Sequence, residues 1–253
     1  TLRRKRSRPE DVALLDVGDP KLQVAIAEEL TSRRGQKLAR QILANISPSP
    51  TRTEAFFAAK YRAEVTDGDL EAASSTLAEW QTLRPTDARL FSGRADMALR
   101  QGRSEEAAAI LEAGVKANPT DVQLANERIA HAIHRKRWTE ADRGIKDLRR
   151  MLTERGLPTI EAFIWNARLE SAMGHVARAV AQYDAAAAQD PSNVALWLEL
   201  GNVAEASGQF ETAVRAFSHV VQLVPTENTA RDALERIARR REAARREALL
   251  TSP

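Results

Sequence analysis

Side chains that could carry chemistry are few in this 253-residue chain, and their spacing does not suit catalysis. His131 and His134 are three residues apart, so one helix could present both to a metal ion, but no carboxylate converges with them at ligand spacing. Residues 66–69 read Thr-Asp-Gly-Asp, which resembles the start of a cation loop but lacks the later ligands of a calcium site. We interpret the histidines as packing or surface residues and the acidic turn as a helix cap.

Other catalytic signatures are missing from the sequence. The absence of cysteine excludes disulfides, thiolate nucleophiles and cysteine-ligated metals. The chain has no phosphate-binding glycine loop and no nucleophile elbow. We therefore predict a protein that is not an enzyme, holds neither a metal nor a cofactor, and has no small-molecule substrate.

The segment 194–227 shows which elements position the remaining side chains. Its apolar residues recur at helical spacing in two successive stretches, with Gly208 as the turn residue between them and Pro225 as the stop after the second. This spacing predicts a hairpin of two short helices, with Trp197 in the hydrophobic core. The apolar residues of the two helices are Trp197, Leu200, Ala204, Ala213, Phe217, Val220 and Val221.

The same pattern recurs with a period of 34 residues. The successive copies are 54–87, 88–121, 122–155, 160–193 and 194–227, and four additional residues, 156–159, precede the fourth. Small residues, aromatics, glycines and prolines recur together in register, so the chain resembles the tetratricopeptide repeat family over roughly 70 per cent of its length. In the third copy Lys136 replaces the turn glycine and Thr153 replaces the terminal proline. We predict a longer second helix and an irregular stacking angle there.

The resemblance implies an all-α fold, namely a right-handed α-solenoid of tetratricopeptide helical hairpins. Residues 20–53 fit a degenerate N-terminal hairpin, in which Gly35 marks the turn one place later than the repeat register predicts. Residues 228–253 fit a C-terminal capping helix with a charged extension. Residues 1–19 form a basic segment that we expect to be flexible.

The distribution of charge argues against nucleic acid as the partner. Residues 1–8 contribute +5 and residues 228–253 contribute +3 to a net charge of +3, which leaves −5 on residues 9–227. A nucleic-acid binder needs its positive charge along the binding surface. An RNA-binding helical repeat protein therefore stays the less favoured alternative. A third alternative, a regulatory domain of a larger enzyme, is open because the sequence does not begin with methionine.

The basic start of the chain bears on its location. Residues 2–9 hold five cationic and no acidic side chains, which fits either a solvated tail or a segment next to a membrane-spanning helix upstream of Thr1. No apolar run in the sequence itself is long enough to span a bilayer. The excess of arginine (31) over lysine (7) suggests a bacterial source, and both the cytoplasm and the cell envelope stay open.

In tetratricopeptide arrays the first helix of each hairpin lines a concave groove, and the resemblance implies that a partner binds there. Trp165 is the strongest candidate for a binding hot spot, because Phe163 already supplies the aromatic ring that packs its repeat. Partial burial of Trp165 against the neighbouring hairpin is the alternative. The candidate partner-binding residues in this groove are Arg62, Arg89, Asp96, Arg100, Asn126, His134, Ile164, Trp165, Arg168, Asn202 and Glu205.

The function that the resemblance implies is protein binding. We expect a scaffold or assembly adaptor that receives a peptide segment or helix of a partner protein in the groove. The clamp of lysine, asparagine and arginine with which some members hold acidic C-terminal tails is not reproduced in this chain. Bacterial members serve envelope machines such as pili, polysaccharide exporters and cytochrome maturation systems, and we expect this chain to serve such a machine.

Overall fold

The structure is a computed structural model that describes residues 19–46 and 52–251. Within these residues there are thirteen helices and no strand. The helices are α1 (Pro20–Ser32), α2 (Gln36–Ala44), α3 (Glu54–Asp67), α4 (Leu70–Leu83), α5 (Ala88–Arg100), α6 (Ser104–Ala117), α7 (Val122–His134), α8 (Trp138–Glu154), α9 (Ile160–Ala172), α10 (Val176–Gln189), α11 (Val194–Ala206), α12 (Phe210–Leu223) and α13 (Asn228–Thr251).

The helices form two compact units, residues 1–127 and residues 128–253, each of which is a stack of hairpins. In unit 1 the hairpins are α1 with α2, α3 with α4, and α5 with α6, and each packs on the next. In unit 2 the hairpins α9 with α10 and α11 with α12 stack between α8 and α13. The predicted all-α class and its solenoid of helical hairpins are confirmed. The handedness of the stack stays a prediction.

Each hairpin turns at a residue in the left-handed conformation. This conformation lets the backbone N–H of Gln209 reach the carbonyl oxygen of Ala204 at 2.8 Å, which caps the end of α11. Glycine adopts it without a steric penalty. The glycines at this position, with φ between 72° and 85°, are Gly68, Gly102, Gly174 and Gly208.

Two turns use a side-chain-bearing residue at the same position. Lys136, which replaces the glycine in the third copy, has φ 56°. In the N-terminal hairpin the left-handed residue is Arg34, with φ 66°, whereas Gly35 has φ −94°. Gly35 does lie in the turn between α1 and α2, but the left-handed residue is Arg34, so this turn is in register with those of the other hairpins. Gly35 is instead a site of close approach, because a Cβ there would lie 3.0 Å from the carbonyl oxygen of Leu30.

The core of unit 1 is built on aromatic rings. Trp80 is 1% exposed, and its ring stacks on that of Phe57 with centroids 5.5 Å apart. Phe56 meets Phe57 edge-on at 5.2 Å. The indole N–H of Trp80 also donates to the carboxylate of Asp87 at 2.9 Å, so the ring joins α4 to the start of the next hairpin.

The core of unit 2 depends on small residues opposite large ones. Phe217, Leu200 and Ile237 are fully buried. A Cβ on Gly201 would lie 2.6 to 2.8 Å from the ring atoms of Phe217, so only glycine fits at this point of α11.

Trp197 does not lie in the core as expected. Its side chain is half-buried, and its indole N–H donates to the carbonyl oxygen of Pro191 at 2.9 Å. The centroid of its ring lies 4.4 Å from that of the His219 ring. The ring therefore covers the turn before α11, while Leu196 and Leu200 fill the interior. Gly201 is the residue of α11 that meets the Phe217 ring, and the indole of Trp197 packs on the buried cluster from its edge.

The third copy and the helix that follows the last copy differ from the consensus. The second helix of the third copy, α8, has 17 residues against 14 in α4, α6, α10 and α12, so the predicted extension is confirmed. The first half of α13 buries Ala230, Ala233 and Ile237, while Arg239, Arg240 and Arg246 are exposed.

Segments 1–18 and 47–51, which hold the basic start and the proline connector, lie outside the described residues. In the described part of the chain, no helix combines the length and apolar character that crossing a bilayer requires.

Candidate protein-binding surfaces on the first helices

In unit 1, the candidate residues Asp96 and Arg100 pair with each other, and Tyr61, which sequence analysis did not select, bonds to the same carboxylate. The Tyr61 hydroxyl donates to Asp96 Oδ2 at 2.7 Å, and Arg100 Nε donates to the same oxygen at 2.9 Å. Burial, together with this bond to Asp96, raises the pKa of the Tyr61 hydroxyl. The Asp96 carboxylate is thus held between α3 and α5, and it offsets the charge of Arg100.

The remaining candidates of unit 1 are more open. Arg89 Nε lies 3.5 Å from Glu54 Oε1, and both side chains are exposed, so the pair is weak. Arg62 is exposed, and its guanidinium has no ion-pair partner among the described residues. Asn126 is half-buried in α7. Among the candidate residues of unit 1, Arg62 and Arg89 are therefore the arginines whose charge is least offset by a carboxylate.

In unit 2 a denser cluster surrounds Trp165. Arg168 Cζ lies 4.9 Å from the centroid of the Trp165 ring, a cation–π arrangement. The Arg168 guanidinium bonds to both carboxylate oxygens of Glu199, with Nε to Oε2 at 3.2 Å. The Tyr183 hydroxyl donates to Glu199 Oε2 at 2.9 Å. This network raises the pKa of Arg168, chiefly through its hydrogen bond to Glu199.

The four other candidates of unit 2 lie apart from the hydrogen bonds that join Arg168, Glu199 and Tyr183. His134 and Asn202 are exposed, and Ile164 is half-buried against the core. Glu205 contradicts the expectation that it faces a ligand. It is 9% exposed and binds Arg236 of α13, with Arg240 at 3.8 Å, because the capping helix lies where a ligand would have to reach it.

The structure gives the acidic turn at residues 66–69 a structural role. Asp69 accepts a hydrogen bond from the backbone N–H of Ala72 at 3.0 Å and so caps α4, as the sequence predicted. Asp67 and Asp69 also pair with Arg40 of α2, at 2.7 and 2.6 Å, which fastens the N-terminal hairpin to the first repeat. Among the described residues, no group of three or more histidines and carboxylates is placed to hold a metal ion.

Several residues of these clusters escaped sequence analysis. Tyr61, Tyr183 and Glu199 are not among the residues that we expected to line the groove. One signal was present, since three ion pairs of unit 2 join residues 31 apart in the sequence. These pairs are Arg168 with Glu199, Asp184 with Arg215, and Glu205 with Arg236.

Comparisons with known proteins agree with this architecture. The family model described as tetratricopeptide repeat matches residues 59–122, 92–141 and 166–228, together more than half of the chain. No curated protein sequence matches significantly.

Solved structures of tetratricopeptide type superimpose on the chain at low sequence identity, and they establish the fold alone. PilW, described as a widely conserved type IV pilus biogenesis factor, is similar with 15% identity, a TM-score of 0.61, and coverage of 87% of this chain and 98% of PilW. A thermophilic tetratricopeptide protein from Thermus thermophilus gives 16% identity, a TM-score of 0.57, and coverage of 73% of this chain and 98% of that protein.

Part of a larger protein is also similar. A chain of the APC/C hetero-tetramer Cut9-Hcn1 gives 12% identity, a TM-score of 0.59 and coverage of 90% of this chain, and the match spans only 45% of that chain's length. The period, the hairpin stacks and the matched family model lead to one conclusion: the chain belongs to the tetratricopeptide repeat family.

Proposed function

We propose that this protein is a non-catalytic interaction scaffold that binds a peptide segment or helix of a partner protein on the first helices of its hairpins. Tetratricopeptide repeats and their structural neighbours support protein binding in general. The observation that carries the finer proposal is the pair Trp165 and Arg168, whose side chains lie together on α9 at 4.9 Å. Tryptophan and arginine are the residue types that most often dominate binding energy in protein interfaces.

Preorganisation supports the same surface. Arg168 is held by Glu199, which is itself held by Tyr183, so the indole and guanidinium need little ordering when a partner binds. Because Glu199 already offsets the charge of Arg168, this part of the surface suits an apolar or aromatic side chain of the partner. Arg62 and Arg89 are exposed and weakly paired, so the first helices of unit 1 suit a polar or acidic segment of the partner.

We further propose that the partner belongs to a cell-envelope assembly of a bacterium. The similarity to PilW, a type IV pilus biogenesis factor, supports this choice at the level of fold. The basic start of the sequence would suit a position near a membrane.

An affinity purification tests the surface. Wild type is compared with a Trp165→Ala, Arg168→Ala double variant and with Arg178→Ala, a matched control that removes an arginine from the second helix α10. Proteins that are retained by wild type and by the control, and lost from the double variant, would support the proposal. Identical sets from all three would show that the Trp165 surface does not bind the partner.

A further inference from the structure

A pocket in unit 1 is lined by none of the candidate binding residues. It is formed by α4 of one hairpin and by α5 and α6 of the next, and its volume is about 260 Å³. We call it the α4–α6 pocket. Leu77, Met97 and Ile110 form an apolar lining, each less than a tenth exposed. Gln81 and Arg94 add polar groups to this lining.

Two alanines of α4 and α6 stand where unit 2 has an ion pair. At the corresponding place in unit 2, Asp184 of α10 and Arg215 of α12 pair at 2.7 Å across neighbouring second helices. The residues in register with them, 106 positions earlier in the sequence, are Ala78 and Ala109, and both are exposed. Ala78, which lines the pocket, has too short a side chain to bridge α4 and α6 as the ion pair bridges α10 and α12.

The pocket also holds a cation without its usual acidic partner. The residues in register with Arg94 in the neighbouring repeats are Lys60 and Arg128, and each pairs with a carboxylate 19 residues further on. Lys60 lies 3.9 Å from Glu79, and Arg128 lies 3.4 Å from Asp147. The position 19 residues after Arg94 is Ala113.

Arg94 has only a neutral partner in place of that acid. Its Nη1 donates to the amide oxygen of Gln81 at 2.7 Å, and no carboxylate among the described residues pairs with it. The other arginine of the pocket, Arg103, is compensated by Glu106 at 2.6 Å. One positive charge at the edge of an apolar surface is thus left for a ligand.

We propose that the α4–α6 pocket binds an acidic side chain and an adjacent bulky aliphatic side chain of a partner polypeptide. The carboxylate supplies the acid that this repeat lacks and pairs with Arg94, while the aliphatic group packs on Leu77, Met97 and Ile110. A polypeptide is the occupant because the pocket is smaller than the roughly 300–1,000 Å³ of sites that enclose whole small ligands. This surface is separate from the one around Trp165 and does not depend on it.

Methionine methyl NMR provides a direct test, because the chain has three methionines and only Met97 lines the pocket. Protein labelled with ¹³C at the methionine methyl groups is titrated with acetyl-Leu-Glu-amide and with the neutral acetyl-Leu-Gln-amide. We expect a saturable shift of the Met97 signal, with binding at least fivefold weaker for the neutral probe, and no shift of Met151 or Met173. An unperturbed Met97 signal, or an equal response to both probes, would overturn the proposal.

Variants at position 113 supply a matched control. Ala113→Glu restores the internal acid that Lys60 and Arg128 have, so it should weaken binding of the acidic probe at least fivefold, whereas Ala113→Gln should bind as wild type does. Ala113 is exposed, and thermal unfolding like that of wild type would show that both variants are folded. Equal binding by the two variants would contradict the role of Arg94.

Binding of 4-methylpentanoate without binding of the acidic peptide would assign the pocket to a small carboxylic acid and refute a polypeptide occupant.

Discussion

Arg236 binds Glu205 at two points, with Nε 2.8 Å from Oε1 and Nη2 2.7 Å from Oε2. The pair joins the capping helix α13 to the buried end of α11. Its hydrogen bond lowers the pKa of the Glu205 carboxyl below the ordinary value for glutamate. The C-terminal helix is therefore fastened to the stack by charge as well as by the apolar contacts of Ile237.

Acid should release this fastening. Because the pKa of Glu205 is lower in the folded than in the unfolded protein, its stabilising contribution is present above about pH 4.3 and is lost as the pH falls through the lowered folded value. In thermal unfolding from pH 7 to pH 3, wild type should melt higher than Glu205→Gln at pH 7, and the difference should disappear at the acid end. A difference that is independent of pH would show that the pair is not ionic.

Gly201 should tolerate no side chain. Replacing a helical glycine with alanine ordinarily stabilises a helix by up to about 1 kcal/mol. At Gly201 the added Cβ would meet the Phe217 ring, so Gly201→Ala should lower the free energy of unfolding by about 1–3 kcal/mol. Urea denaturation measures this, with Asn202→Ala as the exposed neighbour on the same helix. Stabilisation by Gly201→Ala would mean that Phe217 can move aside.

Replacing Lys136 with glycine should stabilise the protein. Its φ of 56° costs a residue with a side chain about 1–2 kcal/mol, a penalty that glycine does not incur. Lys136→Gly should therefore raise the free energy of unfolding by about 1 kcal/mol. Lys136→Ala removes the same charge but keeps the penalty, so it should give no such gain. If the two variants were equally stable, the turn would not be strained.

The two tryptophans Trp80 and Trp197 should differ in their contribution to stability. Trp80→Ala removes a ring that is fully buried against Phe57 and should cost about 3–5 kcal/mol. Trp197→Ala should cost clearly less, because the ring is half-buried at the edge of its hairpin. Denaturant unfolding of both variants measures the two costs. A larger loss of unfolding free energy for Trp197→Ala than for Trp80→Ala would show that Trp197 belongs to the core.

The repeat period made the helices of this fold predictable from sequence. Helices begin at Glu54, Ala88, Val122, Ile160 and Val194, where the periodic pattern starts its copies. A period of this kind constrains backbone conformation, because every copy needs a turn at the same place. Arg34 takes the left-handed conformation that the register requires, although most of the other hairpins have glycine at this position.

Side-chain partners were much less predictable. Whether Glu205 faces a ligand or the capping helix depends on how far α13 reaches along α11, and apolar spacing carries no information on that. The same limit applies to Trp197, whose neighbours determine which side of the ring is covered. Ion pairs such as Arg168 with Glu199 depend on rotamers, so sequence analysis selected one partner and missed the other.

Photocrosslinking from the first helices tests the central claim most directly. A benzophenone amino acid replaces Asn202 of α11, which is exposed, and in a second protein it replaces Arg178 of α10 as the control. After irradiation in cells of the source organism, we expect the probe at 202 to crosslink to a discrete, protease-sensitive partner that the probe at 178 does not capture. Equal capture from both positions, or a product that nuclease removes and protease does not, would contradict protein binding on the first helices.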